Sequence, residues 1–124
     1  MKLIFCIENN NGYMFFGKRP SKDAALIKWL CDYVGSQKIY ASRYSAPLFD
    51  GYDVLTDKKD GYVFVEDEPY SSDGITELVL CHWNRAYPAD KFLDLEPTAL
   101  GLSLSETHEI AGSSHDKITI EIYR

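Results

Sequence analysis

Short apolar runs separated by turn residues dominate the pattern of the chain and predict a sheet-rich fold. Three runs are almost wholly apolar, at 3–7, 62–65 and 78–81, as expected for strands that are buried on both faces of a parallel sheet. Apolar and polar residues instead alternate around 102–107 and at 118–122. These two stretches predict a C-terminal antiparallel hairpin.

One segment has the spacing of an amphipathic helix. The pattern predicts a helix from about Lys22 to Val34, with Ser21 as its cap and Gly35 as its stop. A short strand at 38–41 follows, which makes a right-handed strand–helix–strand crossover. The expected fold is a single α/β domain over 1–124, with a mixed sheet, parallel central strands, one principal helix and the C-terminal hairpin.

Length and composition are those of one globular domain. The chain has 124 residues, of which 45% are hydrophobic and 26% charged. The run 3–7 is too short for a signal peptide or a membrane span, so no membrane partner is expected. Three cysteines, Cys6, Cys31 and Cys81, lie apart in apolar sequence. They predict reduced thiols in a cytoplasmic protein.

The charge of the chain argues against nucleic acid as a partner. The formal net charge is −6 and the sequence pI is about 4.9. A nucleic-acid binder normally presents a basic face, because phosphate contacts supply much of the affinity. The densest basic group here is only Lys18, Arg19 and Lys22.

One carboxylate has an unusual place in the predicted helix. On a helical wheel of about 100° per residue, Asp23 falls near the middle of the apolar stripe, ahead of Leu26 and Ile27. If Asp23 lines a cleft, desolvation would raise its pKa and suit it to proton donation, which makes it the catalytic candidate. The alternative is structural, because negative charge is favoured in the first turn of a helix. The sequence leaves both roles open.

Several segments resemble the dihydrofolate reductase family. The run 3–7, the Asn-Gly turn at 11–12 and the helix with an early inward Asp are similar to that family's first strand, mobile loop and folate-facing helix. Segment 38–45 is similar to its second strand and Gly-Arg-x-Thr turn. Segments 77–82, 89–93 and 120–124 follow the family's order. The resemblance covers most of the chain and implies a shortened fold of that type.

The same resemblance implies a set of ligand-binding residues. Asp23 stands where the family has its pterin-binding carboxylate. Arg43 and Ser45 match the phosphate-binding turn, in which Ser42 replaces the Gly. Cys81 stands where a Thr normally supports the folate carboxylate.

The chain departs from that family after its fourth main strand. The family has a Gly-Gly pair there, which lets the pyrophosphate of the cofactor approach the backbone. Glu66, Asp67 and Glu68 stand in its place, at the carboxyl end of a strand, where they would repel a diphosphate. We therefore expect no NADPH and no other cofactor. Glu66 remains a candidate for contact with a ligand, and no metal site is expected.

A second resemblance is to short bacterial proteins that often bear the name ribonuclease Z. Segments 83–90 and 111–119 carry it. The name implies tRNA processing at a two-zinc site built on a His-x-His-x-Asp-His motif. The chain has only His82, His108 and His115, in no such arrangement. The resemblance therefore implies an activity whose ligand motif the chain does not have.

Segment 113–116 places serine, histidine and aspartate side by side. Adjacent residues on one turn rarely reach the geometry of a catalytic triad, and no Gly-x-Ser-x-Gly elbow is present. A hairpin turn is the preferred interpretation, with Gly112 supplying a positive φ and the serine hydroxyls binding backbone.

Trp83, Arg85 and Tyr87 allow two interpretations. In the first, they form an exposed aromatic and guanidinium patch that stacks on a flat ligand or binds a partner protein. In the second, they pack against the long connection before Pro88.

The sequence is consistent with three functions. The first is a small-molecule-binding domain, in which Asp23 binds a planar amine-bearing ligand and Arg43 and Ser45 hold its anionic end. The second is a non-catalytic interaction module, such as a homodimer that buries Trp83 and Tyr87. The third is the nuclease that the ribonuclease Z name suggests.

Overall fold

The computed structural model describes residues 1–124 and contains a six-stranded sheet, a two-stranded sheet and one α-helix. The helix α1 spans Ala24–Val34. The strands are β1 (Lys2–Ile7), β2 (Gly12–Met14), β3 (Ile39–Tyr40), β4 (Tyr62–Phe64), β5 (Glu77–His82), β6 (Lys91–Phe92), β7 (Leu104–Ile110) and β8 (Ile118–Tyr123). Two 3-10 turns lie at Gly35–Gln37 and Ala46–Phe49.

The main sheet has the strand order β3-β4-β1-β5-β8-β7. Strand β1 pairs in parallel with both β4 and β5, and β3 pairs in parallel with β4. Strand β8 runs antiparallel to both β5 and β7. The predicted mixed sheet, with parallel strands at its centre and an antiparallel C-terminal hairpin, is therefore confirmed.

Both faces of the central strands are buried, which explains the unbroken apolar runs. In β1, Ile4 faces the core that contains α1, whereas Leu3 and Phe5 face a second core on the opposite side. All three side chains are fully buried, and each such burial contributes about 1.5–3 kcal/mol to folding. A polar residue in β1 would therefore be costly on either face.

Helix α1 begins two residues later than predicted. Asp23 is the N-cap residue, with extended backbone (φ −153°, ψ 124°), and its side chain accepts hydrogen bonds from the N–H groups of Ala25 and Leu26. The predicted cap, Ser21, lies outside the helix. Gly35 ends the helix with a φ of 59°, as predicted, because glycine adopts positive φ without a steric penalty. The helix is too short and too polar to cross a membrane.

Two features of the edges were not predicted. Strands β2 and β6 form a small separate sheet, and β6 is only two exposed residues long, too short for a periodic signal. Strand β7 is the outer edge of the main sheet and is largely exposed. Its charged residues, including Glu106 and Glu109, discourage pairing with another chain at that edge.

The parallel strands all end at one edge of the sheet. The residues that follow are Glu8 after β1, Ser42 after β3, Glu66 after β4 and Trp83 after β5. In open α/β sheets, ligands bind outside the carboxyl ends of the strands. This edge is therefore the place to look for a functional site.

Candidate functional site

Buried polar side chains collect at the carboxyl edge of the sheet. Seven polar or charged residues of the chain are buried. One of them, Glu77, begins β5 at the opposite edge. The other six surround the carboxyl ends of the parallel strands: Glu8, Asp23, Ser42, Ser45, Glu66 and His115. Burying polar groups costs free energy, and almost all of the buried polar residues of this chain lie at the edge where a ligand site is expected.

The carboxylate of Asp23 joins α1 to the loop between β7 and β8. Its Oδ1 accepts hydrogen bonds from the backbone N–H groups of Ala25 (2.9 Å) and Ser113 (2.9 Å), with Leu26 at 3.3 Å. Its Oδ2 accepts from the N–H of Ser114 (2.8 Å) and from Nδ1 of His115 (2.9 Å). A carboxylate has about four lone-pair sites, so protein donors saturate this one.

These hydrogen bonds keep Asp23 ionised. Burial by itself would raise the pKa of the carboxyl group, but the backbone N–H of Ser113, the ring of His115 and the N–H of Ser114 outweigh it. Together they hold the pKa of Asp23 well below its usual range. The prediction of a raised pKa is therefore wrong, because the sequence showed the burial of Asp23 but not its donors.

Gly112 allows the loop to approach Asp23. A Cβ atom at this position would lie 2.6 Å from Oδ2 of Asp23 and 2.7 Å from the carbonyl oxygen of His115. The φ of Gly112 is not positive, contrary to the prediction. Glycine is needed here for space rather than for a left-handed backbone.

His115 is buried between four side chains of this site. Its Nδ1 contacts Asp23, and its Nε2 lies 2.9 Å from Oγ of Ser21 and 3.1 Å from the hydroxyl of Tyr87. The ring of Trp83 stacks on the imidazole at a centroid distance of 4.6 Å. Because Asp23 is an ionised acceptor, Nδ1 is the ring nitrogen that donates to it, and Nε2 faces the hydroxyl groups of Ser21 and Tyr87.

A second polar network closes the edge beside β3 and β4. The guanidinium of Arg19 makes two hydrogen bonds of 2.9 Å to the carboxylate of Glu66 and lies over the ring of Tyr44. Oγ of Ser45 donates to the same carboxylate at 2.6 Å. Ser42 donates to Asp67 at 2.6 Å. Sequence inspection missed the role of Arg19, since it lies 47 positions from Glu66.

The other sequence candidates do not meet in one cleft. Arg43 is exposed. Ser45 is fully buried and bonded to Glu66, so these two residues do not form an anion site together. Cys81 is inside the core, opposite Cys6 on the neighbouring strand.

The proposed surface patch is not present as a unit. Trp83 is only 3% exposed and Tyr87 is half-buried, whereas Arg85 is exposed. Trp83 packs in the α1 core with Tyr87 against it, so its assignment to an exposed patch is corrected. Its indole N–H is buried and has no hydrogen-bond partner.

Two clefts flank this polar region. The first, of about 390 Å³, lies between α1 and the Ala46–Phe49 turn and is lined by Ile27, Pro47 and Leu48 together with Lys22, Asp23, Ala24, Ser113 and Ser114. The second, of about 380 Å³, is lined by Phe15, Phe16, Lys18, Arg19, Pro20, Tyr87 and Pro88. We refer to them as the helix cleft and the phenylalanine cleft.

The three histidines lie in separate places. Nε2 of His82 is 2.6 Å from Glu121, Nε2 of His108 is 2.8 Å from Glu106, and His115 pairs with Asp23. No group of three or more His, Cys, Asp or Glu side chains is arranged to hold a metal ion. The histidines therefore do not form a two-zinc site of the ribonuclease Z kind.

Comparison with solved structures identifies the fold. A dihydrofolate reductase from Enterococcus faecalis, solved in complex with NADP(H) and RAB-propyl, superposes with a TM-score of 0.66. The alignment covers 99% of this chain and 94% of the reductase, at 11% sequence identity. No family model and no curated protein sequence matches the chain. The chain therefore has a dihydrofolate-reductase-like fold, and this similarity speaks for the fold alone.

Replacement of Asp23 by Asn tests the buried carboxylate. Asn would direct an amide N–H₂ at groups that already donate, so Asp23→Asn should lower the free energy of unfolding by about 2–4 kcal/mol at neutral pH. The pKa of Asp23 is lowered in the folded protein, so its contribution is complete above the unfolded pKa of about 3.9. This stabilising contribution is lost as the pH falls toward and through the lower pKa that Asp23 has in the folded protein.

The difference in the free energy of unfolding between wild type and Asp23→Asn should therefore become smaller below about pH 4. Urea unfolding at neutral pH and at about pH 3 measures it. Asp32→Asn is the matched control, because Asp32 is an exposed residue of α1 paired only with Lys28. It should change the stability by at most about 0.5 kcal/mol. A loss for Asp23→Asn that is equal at both pH values would contradict the assignment.

The pair Arg19–Glu66 is testable by removing one or both charges. Arg19→Met leaves the carboxylate of Glu66 buried without its cation and should cost about 3–5 kcal/mol of unfolding free energy. Arg19→Met combined with Glu66→Gln should recover most of that loss, because the neutral amide still accepts from Ser45. Denaturant unfolding of wild type, of Arg19→Met, of Glu66→Gln and of the double variant provides the measurement. Additive losses in the double variant would show that the pair is not coupled.

Proposed function

We propose that this protein binds a small, planar, mainly apolar ligand with an anionic end in the helix cleft, without a dinucleotide cofactor. The observation that carries the proposal is the cleft itself. Ile27, Pro47 and Leu48 provide apolar walls, and its volume of about 390 Å³ is within the range of small-molecule sites, about 300–1,000 Å³.

The polar groups of the helix cleft favour a negative end on the ligand. Lys22 is exposed and makes no salt bridge, so its ammonium group is free to pair with an anion. Ser113 also lines the cleft, and its hydroxyl group, which accepts from the N–H of Ala25, still has a proton to donate to an anion. The carboxylate of Asp23 is turned away, with a side-chain exposure of 0%, so it shapes the wall without meeting the ligand. This differs from the amine contact that the sequence suggested for Asp23.

The carboxyl edge of β4 does not fit a dinucleotide. The fold neighbour was solved with NADP(H), whose phosphates need donors and space near the backbone. Here Glu66 is 6% exposed and is already paired with Arg19 and Ser45. Asp67 follows it directly. A phosphate would have to displace the guanidinium and approach these carboxylates, which repel it.

The interaction-module hypothesis receives less support from this geometry. It depended on burial of Trp83 and Tyr87 in an interface between molecules. Trp83 is only 3% exposed in the single chain. An interface between molecules would therefore bury little additional area of this side chain.

Binding in the helix cleft is testable with 2-naphthoate, a planar aromatic carboxylate. We expect saturable shifts of backbone amide resonances in heteronuclear NMR spectra, centred on Ile27, Leu48 and Ser113. Leu48→Trp should abolish them by filling the cleft. Lys22→Ala should weaken the affinity by about threefold and should not weaken binding of the neutral 2-naphthamide.

Lys28→Ala is the matched control, because Lys28 is also on α1 but pairs with Asp32 outside the cleft. It should leave the affinity for 2-naphthoate unchanged. Absence of saturable shifts at the cleft with both compounds, or shifts that survive Leu48→Trp, would contradict the proposal.

The cofactor part of the proposal has its own test. Titration of the protein into NADPH should leave the fluorescence of the nicotinamide unchanged, because the edge that would hold its phosphates is closed by Arg19 and Glu66. A saturable change in fluorescence that is lost on competition with NADP would show that a dinucleotide does bind.

A further inference from the structure

We propose that Ser21, His115 and Asp23 form a catalytic triad that hydrolyses small esters with an apolar group. Oγ of Ser21 lies 2.9 Å from Nε2 of His115, and Nδ1 of His115 lies 2.9 Å from Oδ2 of Asp23. A nucleophile, a base and a carboxylate that orients the base are thus joined in the required order. Triads are recognised by this geometry and these roles, not by position in the sequence.

The base is held in the orientation that the reaction needs. Asp23 is ionised and its side chain has no exposed surface, so it accepts a hydrogen bond from Nδ1 and turns Nε2 toward the hydroxyl groups of Ser21 and Tyr87. Stacking on Trp83 fixes the plane of the imidazole. The buried pair therefore orients His115 without competing for the proton that Ser21 would give up.

The loop between β7 and β8 has attachments other than the hydroxyl of Ser21. It is attached to Asp23 through the backbone N–H groups of Ser113 and Ser114, and Nε2 of His115 is also contacted by Tyr87. Ser21 is only half-buried and lies two residues before the capping residue of α1. Its partial exposure lets a substrate reach its hydroxyl.

The phenylalanine cleft borders two residues that adjoin the triad. Tyr87 is part of its wall, and the hydroxyl of Tyr87 lies 3.1 Å from the same Nε2 atom that Ser21 contacts. Pro20, the neighbour of Ser21, lies in the wall as well. The proposal therefore places the ester carbonyl at the Pro20 and Tyr87 side of this cleft, next to the triad.

The lining of the phenylalanine cleft indicates the substrate class. Phe15 and Phe16 are exposed aromatic side chains, and Phe16 is 77% exposed with a φ of 46°. Their rings lie 4.4 Å apart, centroid to centroid, and give the mouth of the cleft an apolar surface. Lys18 is the free cation of the wall, since Arg19 is paired with Glu66. Neutral or anionic esters with an alkyl or aryl group fit this lining.

The reaction is an acyl transfer to Ser21 followed by hydrolysis. Oγ of Ser21 attacks the carbonyl carbon while Nε2 of His115 takes the hydroxyl proton. The bond from the acyl carbon to the leaving oxygen then breaks, and His115 returns the proton to release the alcohol. Water attacks the acyl-serine with His115 again as base, the bond to Ser21 breaks, and the carboxylic acid leaves as Ser21 regains its proton.

The two clefts have no lining residue in common, although Asp23 of the triad also lines the helix cleft. The two proposals have separate readouts. An adduct on Ser21 without binding of 2-naphthoate would contradict only the helix-cleft proposal, and binding of 2-naphthoate without an adduct would contradict only the triad.

The test combines a fluorophosphonate probe with hydrolysis of 4-methylumbelliferyl butyrate. We expect the wild-type protein to carry one phosphonate adduct, located by mass spectrometry on the peptide that contains Ser21. Ser21→Ala should lose the adduct and lower the hydrolysis rate by about 100-fold or more, while its circular dichroism spectrum and thermal midpoint stay those of wild type. Ser105→Ala, a matched serine change on the exposed edge strand β7, should change neither readout.

Three results would overturn the proposal. These are the absence of an adduct on the wild-type protein, an adduct on Tyr87 or another residue that persists in Ser21→Ala, and equal hydrolysis rates for wild type and Ser21→Ala. Because Ser21→Ala removes only a hydroxyl outside the core, a folded variant is available for each comparison.

Discussion

The buried carboxylate of Asp23 is the contact on which the arrangement of this edge depends. It caps α1 and at the same time binds the backbone of the loop between β7 and β8. An ionised group without water must be satisfied by donors, and here the protein supplies all of them. The position of the loop, the orientation of His115 and the close approach of Gly112 all follow from that requirement.

The carboxyl edge of the sheet is occupied by the chain's own side chains. In this fold, that edge is where the parallel strands end and where a ligand would find unpaired groups. In this protein, Glu8 accepts from the N–H groups of Asn10 and Gly12, Glu66 pairs with Arg19, and Asp23 pairs with His115. Open space beside this polar region is found in the two clefts that flank it.

The sequence predicted the fold well because the fold depends on local patterns. Unbroken apolar runs gave β1, β4 and β5, and strict alternation gave β8. The start of α1 was placed two residues early, since Ser21 and Asp23 are both residue types that cap helices. Strand β6 was missed because two exposed residues carry no periodicity.

The candidate site was predicted only in part, for a physical reason. The helical wheel identified Asp23 as a carboxylate on the apolar face, and the sequence showed acids after β4. Their partners lie far away in the chain: Arg19 is 47 positions from Glu66 and His115 is 92 positions from Asp23. One sequence without homologues gives no signal for such pairs. A rule that every buried carboxylate needs a donor would have predicted that partners exist, but not which residues they are.

The separation between α1 and the loop also affects how the molecule assembles. Asp23 and its loop donors are 90 to 92 positions apart, and β1 must find β5 across a similar distance. Contacts between residues so far apart in sequence form slowly, because closing the long intervening loop costs conformational entropy. On a nascent chain leaving the ribosome, α1 can therefore have only its local cap while β8 is still being synthesised. Until that strand is added between β5 and β7, Ile118, Ile120 and Ile122 are missing from the core that contains α1. The part of the core that they cover stays open to chaperones or to aggregation.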